Sequence, residues 1–204
     1  MAKGILLIIS GPSGVGKGTV CKHLMKKRSD LKPSVSSTTR SPRPGEVEGE
    51  DYNFITVTRF KDMINEGSFL EWAVVHGDYY GTRLTTLENA IDRGENLILE
   101  IDTQGAAQVR RKKASAVSVF LAPPSLKALE ERISGRGTEN ADKIRLRLET
   151  ARTEMKAYHL YDYLVVNDQV ENAAELISAI IDAEKCRVSR GAHPPGWDVG
   201  GDRK

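Results

Sequence analysis

An apolar run, Ile5-Leu6-Leu7-Ile8-Ile9, breaks at Ser10 into Gly11-Pro12-Ser13-Gly14-Val15-Gly16-Lys17-Gly18-Thr19, and helical spacing then begins with Val20, Leu24 and Arg28. A run without polar alternation reads as a strand covered on both faces, which is the habit of parallel sheets. The spacing after it predicts a helix from about Lys17. A glycine-rich turn between such a strand and a helix N-terminus is built for phosphate, because bare backbone N–H groups and the positive helix end converge there. Lys17 would reach the outer phosphates of a nucleoside triphosphate. The strict pattern G-x-x-x-x-G-K-[ST] wants a hydroxyl directly after the lysine. Here Gly18 takes that place and the hydroxyl comes at Thr19, which would meet Mg²⁺ directly or through water.

The rest of the composition mostly excludes. The 204 residues suit one compact unit with insertions, and a net charge of +2 gives no reason to expect nucleic acid. Cys21 and Cys186 are far apart, and His23, His76, His159 and His193 show no ligand spacing, so neither a disulfide framework nor a protein-built metal site is expected. No segment is long enough to cross a membrane, and the run 5–9 is too short for a signal sequence. A cytoplasmic protein is the expectation. Oligomeric state is not readable.

Buried-strand patterns recur at 5–9, 97–101, 117–121 and 163–166, with helical patterns between or beyond them. Ala173, Leu176, Ile177, Ile180 and Ile181 form one stripe, and Ile144, Leu148, Ala151 and Met155 another. Alternating strands and helices imply an α/β fold around a parallel sheet, with ligands beyond the carboxyl ends of the strands. Residues 34–93 break the rhythm with strand-like 52–56 and 69–75 and a small helix at 60–66, and so read as an inserted region of mixed strands. A second, helical insertion spans 123–158. Residues 187–204, rich in Gly, Pro and charge, read as a flexible tail.

Three further groups carry chemistry. Arg40 and Arg43, stiffened by Pro42 and Pro44, suit a bidentate clamp on a second phosphate. Glu71 lies close in sequence to the hydroxyls of Tyr80 and Thr82. Arg132, Arg136, Arg145 and Arg147 gather in the second insertion, where Arg145 reads equally well as a solvated helix face. Glu100 and Asp102 alternate around Ile101 at a strand end and face one side of the sheet. Trp72 and Tyr79 read as packing residues.

The stretches GPSGVGKGT, SSTTRSPRPGEVEGEDYNF, EWAVVHGDYYGT, LEIDTQGA, FLAPPS, RISGRGTE and YLVVND occur in the order of the guanylate kinase family, and the chain resembles that family from residue 4 to 184. The resemblance implies a nucleoside monophosphate kinase-like architecture. Its P-loop core would be 1–33, 94–122 and 159–186, with a GMP-binding insertion at 34–93 and a lid at 123–158. It implies that 11–19 holds the phosphates of ATP. Arg40, Arg43, Tyr52 and Tyr80 would hold the GMP phosphate, and Ser36, Glu71 and Thr82 would read guanine. Arg136 and Arg147 match the lid arginines, with Arg132 alongside, and Asn167-Asp168 matches a loop near adenine. The family usually carries two aspartates at the strand end, where this chain has Glu100 and Asp102.

The expected reaction is ATP + GMP = ADP + GDP with Mg²⁺, with Lys17, Arg40, Arg136 and Arg147 as its catalytic residues. Guanine offers two adjacent donors, N1–H and the 2-amino group, and one carboxylate at Glu71 can accept both; adenine cannot satisfy it. The GMP phosphate is already largely ionised, with a second pKa of about 6, so no general base is required. A kinase for another base is opposed by Glu71 and Ser36. A non-catalytic protein-binding relative is opposed by the presence of Lys17, Arg40, Arg43, Arg136 and Arg147. An ATPase or GTPase switch would have no use for the second anion clamp.

Overall fold

The computed structural model describes residues 3–75, 77–113, 115–134 and 141–192. The first apolar run becomes β1 (Leu6–Ser10), and α1 (Lys17–Lys27) starts where the spacing predicts. Three of the other expected strands form: β7 (Asn96–Glu100) and β8 (Val117–Ala122) with ends shifted by one residue, and β9 (Tyr163–Val166) with the expected bounds. β2 (Leu31–Pro33), which the sequence pattern does not predict, joins them at the edge, where its proline costs no ladder hydrogen bond.

All five strands run parallel in the order β2-β7-β1-β8-β9. Successive side chains on β1 point to opposite faces, which divides its apolar run between two cores. Leu7 and Ile9 join Leu24 of α1 with Ile177 and Ile181 of α7 (Val170–Lys185). Leu6 and Ile8 join Leu87 and Ala90 of α3 (Leu84–Asp92) with Ala106 and Val109 of α4 (Thr103–Lys112). Thus α3 lies within the expected insertion 34–93 in sequence but packs against the main sheet. On α7 the buried stripe is Ala173, Ala174, Ile177 and Ile181, while Leu176 is 55% exposed. One residue is about 100° around a helix, so a stripe centred one position off turns a leucine to solvent.

The inserted region builds a second sheet in the order β4-β3-β6-β5, from β3 (Ser37–Thr38), β4 (Asn53–Phe54), β5 (Phe69–Val75) and β6 (Asp78–Arg83). The strand expected at 52–56 stops early because the Thr56 side chain accepts the Arg59 N–H and caps α2 (Val57–Asn65). Phe60 and Met63 of α2 pack with Phe69 under this sheet, and Trp72 and Tyr79 pack against them. In the second insertion, α5 (Leu126–Ser134) and α6 (Ala141–Met155) share a small core of Leu129, Ile133 and Ala151, flanked by Ile144 and Leu148. Part of the expected tail is ordered: Arg187 and Arg190 donate to the buried Glu184, which also accepts from the Tyr163 hydroxyl. Residues 193–204 lie outside the described residues.

Candidate active site

The loops leaving β1 and β7 at their carboxyl ends meet the inserted sheet across a cleft of about 670 Å³, lined by both. On one wall stands the glycine loop. Gly16, the residue before α1, has φ 96°, a left-handed conformation that a side chain would oppose. The loop and the first turn of α1 leave the N–H groups of Gly14, Gly16, Lys17, Gly18 and Thr19 without an acceptor among the described residues. This is an anion cradle. Lys17 Nζ donates to the Gly11 carbonyl at 2.7 Å and the Pro12 carbonyl at 3.3 Å, and burial lowers its pKa.

The loop is tied to its neighbours at two further points. Val15 O accepts from Asn167 Nδ2 at 2.7 Å and from Arg132 Nη1 at 3.3 Å, while Arg132 Nη2 donates to Asn167 O at 2.9 Å. Arg132 therefore bridges the loop to the segment after β9. Asn167 is 3% exposed, and its Oδ1 is buried with no hydrogen-bond partner among the described residues. Asp168 is exposed and accepts from Gln169 N. From α6, Arg147 Nη2 donates to Ser13 Oγ at 3.0 Å and Glu154 Oε2 accepts from Ser13 N at 3.1 Å.

The opposite wall is made of side chains on short strands. The pairing of β5 with β6 sets Glu71 directly across from Thr82. Thr82 Oγ1 donates to Glu71 Oε1 at 2.7 Å, and Ser36 Oγ lies 3.3 Å from Thr82 Oγ1. Glu71 is only 5% exposed and has no ion pair among the described residues, so burial raises its pKa, against the Thr82 hydrogen bond. Its carboxylate lies over Gly105 at the start of α4. A Cβ there would come within 3.1 Å of Glu71 Oε2, so the absent side chain makes the room. The three residues form a partly satisfied polar row that retains acceptor capacity on Glu71.

Beside this row Arg40 is held from several sides. Its Nε donates to the Tyr80 hydroxyl at 3.2 Å, and Nη1 and Nη2 donate to Glu46 at 3.0 and 2.8 Å. Its guanidinium sits 5.5 Å from the Tyr52 ring centroid, and Tyr52 meets Tyr80 edge-on at 5.9 Å. The Glu46 contact raises the Arg40 pKa further. Arg43 enters this group through its backbone, whose N–H donates to Glu46 at 2.7 Å, while its side chain is exposed.

The remaining expected positions fall as follows. Asp102 lines the cleft but also caps α4, its Oδ1 accepting the Gly105 N–H at 2.7 Å. Glu100 lines the cleft with no hydrogen-bond partner among the described residues, and a Cβ on Gly18 would lie 3.4 Å from its carboxylate oxygens. Thr19 is exposed to the same cleft. Arg145 pairs with Asp142 on the surface. Arg136 lies outside the described residues. Glu46 and Glu154 carry no signal in the sequence, because carboxylates have the wrong sign for an anion-binding site and their partners are set only by the fold. Among the described residues no cluster of three or more His, Cys, Asp or Glu could hold a metal, and no helix is long and apolar enough to cross a membrane.

Comparison with known proteins completes the picture. The sequence model described as guanylate kinase matches residues 3–184. A guanylate kinase of Clostridium perfringens (strain SM101 / Type A) is 50% identical over 188 residues, covering 92% of this chain and 87% of that one. A guanylate kinase of Lactococcus lactis subsp. lactis (strain IL1403) is also 50% identical over 188 residues, covering 92% of each. Among solved structures, the crystal structure of guanylate kinase from Anaplasma phagocytophilum superposes with a TM-score of 0.73 at 34% identity, covering 93% of this chain and 90% of that one.

Proposed function

The chain belongs to the guanylate kinase family and phosphorylates GMP with ATP, and on that premise we propose that each wall of the cleft takes one nucleotide. The glycine loop and Lys17 take the ATP phosphates, with Asn167, Asp168 and Arg132 on the adenine side. Arg40, Arg43, Tyr52 and Tyr80 take the GMP phosphate. Ser36, Thr82 and Glu71 take guanine, the carboxylate accepting both base donors. The observation that carries this reading is the pair of unlike polar groups in one cleft, a backbone anion cradle facing a buried carboxylate with an arginine–tyrosine clamp.

Transfer is then a matter of placement and charge. A GMP phosphate oxygen attacks the terminal phosphorus of ATP as the bond to the bridging oxygen breaks, and ADP leaves. Lys17 and Arg147, with Arg136 from the lid 123–158, stabilise the charge on the moving group, as expected for phosphoryl transfer. No proton must be removed, so no base is assigned. The oxygens of Thr19, Glu100 and Asp102 in the cleft fit Mg²⁺, which keeps several waters and takes few protein ligands. Thr19, through water, and Glu100 would hold it near the ATP phosphates, where it would supply positive charge. We place the reaction in the cytoplasm, which suits two unpaired cysteines.

Incubating the protein with ATP and GMP, AMP, UMP or dTMP separately, and following both ADP and the new diphosphate, tests the assignment. GDP formed in a one-to-one ratio with ADP, at least about 10³-fold faster than any other diphosphate, is expected from a base site built on buried polar groups. Comparable rates for AMP would contradict the role given to Glu71.

A further inference from the structure

Glu154 has no part in the roles above, yet it touches the loop that holds the ATP phosphates. It stands near the end of α6, half-buried and lining the same cleft as Lys17. Its Oε2 accepts the backbone N–H of Ser13, and Arg147, two helical turns earlier on α6, donates to the Ser13 hydroxyl. One loop residue is thus gripped by one helix through both its backbone N–H and its hydroxyl. Beyond it, the N–H groups of Gly14, Gly16, Lys17, Gly18 and Thr19 have no acceptor among the described residues, while that of Val15 turns back to the Pro12 carbonyl at 3.3 Å. Lys17 is turned back onto the Gly11 and Pro12 carbonyls and makes no ion pair with Glu154. A carboxylate oxygen at the rim of a donor-lined cradle occupies the kind of place that a phosphate oxygen takes.

We infer that Glu154 is a positioning residue whose carboxylate stands in for a phosphate oxygen at the Ser13 amide in the nucleotide-free protein. There it ties α6 to the loop. Arriving ATP brings like charge to the same donors and displaces it, which frees α6, and Arg147 with it, to move with the nucleotide. ATP therefore binds against a competitor built into the chain. Its apparent affinity is lower than the cradle alone would give, in the way a partly populated competent state lowers affinity. Removing that competitor should tighten binding, an effect opposite to the loss of a structural contact. The inference rests on the assignment of ATP to the glycine loop.

Glu154→Gln keeps the length of the side chain and a carbonyl acceptor for Ser13 but removes the charge; Glu154→Ala removes charge and bond together. Calorimetric titration with ATP, without GMP, should give a Kd about tenfold lower for both variants than for the wild type. Glu154→Asp, which retains the charge, should stay within about threefold of the wild type, and Kd for GMP should stay unchanged in all three. Melting should show a larger rise in Tm on adding ATP for the Gln and Ala variants than for wild type. Equal or weaker ATP binding by folded Glu154→Gln and Glu154→Ala would overturn the stand-in role. A folded wild type that binds no ATP would instead overturn the loop assignment itself, and the inference with it.

Discussion

On the proposed assignment, the two walls of the cleft solve one problem, holding a phosphate, by different means. The loop wall uses backbone: N–H groups fixed by the end of β1 and the first turn of α1, with glycines where φ is positive. The inserted wall would use side chains: Arg40, just past β3, with Tyr80 of β6 for the phosphate, and Glu71 of β5 with Thr82 of β6 for the base. A backbone site is encoded in consecutive residues and grips any phosphate of the right shape. A side-chain site depends on register between distant strands and can discriminate. Catalytic charge should therefore be most sensitive on the first wall and substrate choice on the second.

The comparison can be broken at several points. The largest effect is expected from Lys17→Ala. Among the described residues its Nζ bonds only carbonyls within its own loop, so folding, read by circular dichroism, should persist while kcat falls about 10³-fold, the order seen when one transition-state donor is removed. Near-normal turnover would remove the loop wall from the chemistry.

Glu71→Gln should act on choice instead. The expected result is a KM for GMP raised about 10²-fold, with most of the preference over AMP gone, because the amide meets guanine donors with a donor of its own. The same variant has a pH signature. Burial raises the Glu71 pKa in the folded protein above its unfolded value of 4.5. As pH rises past that value the unfolded chain ionises first, so this group opposes folding at neutral pH and not in acid. Glu71→Gln should thus raise Tm by roughly 1–4 °C at pH 7–8 and lose the gain below the ordinary carboxyl range of about 4. Thermal melts across pH read this directly.

Arg40→Lys keeps the charge but loses the fork that reaches both Tyr80 and Glu46. KM for GMP should rise about tenfold, with KM for ATP unchanged, since a lysine cannot copy bidentate geometry. The smallest effect belongs to Arg145→Ala. Its partner Asp142 is 84% exposed, and such a pair is worth about 0.2–1 kcal/mol, so rate and Tm should hardly move.

The backbone wall was legible in the sequence for the same reason that it is rigid. The strand, the glycines, Lys17 and the start of α1 are neighbours in the chain, and their spacing carries the geometry. The four main strands were readable because their apolar runs have no other use. The side-chain wall was harder. Glu71, Ser36 and Thr82 are brought together only by the β3–β6 and β5–β6 pairings, which no local pattern encodes, and it was family resemblance that marked them. Arg132 carries a long-range contact that spacing cannot show, joining Val15 to Asn167. Glu46 and Glu154 are carboxylates that hold cationic or N–H groups in a site whose chemistry calls for the opposite sign. Leu176 shows the narrower limit that a helical stripe read to within one residue still misplaces a side chain.

The central claim is that one cleft grips both nucleotides at once, each on its own wall. Binding of a single molecule carrying adenosine and guanosine joined through a polyphosphate chain tests it most directly, followed by calorimetry and by displacement with ATP and with GMP. The account predicts one such molecule per chain, bound at least about 10²-fold more tightly than ATP or GMP alone because the second contact becomes intramolecular, and displaced by either nucleotide. Affinity no better than that of ATP alone, with no displacement by GMP, would contradict it.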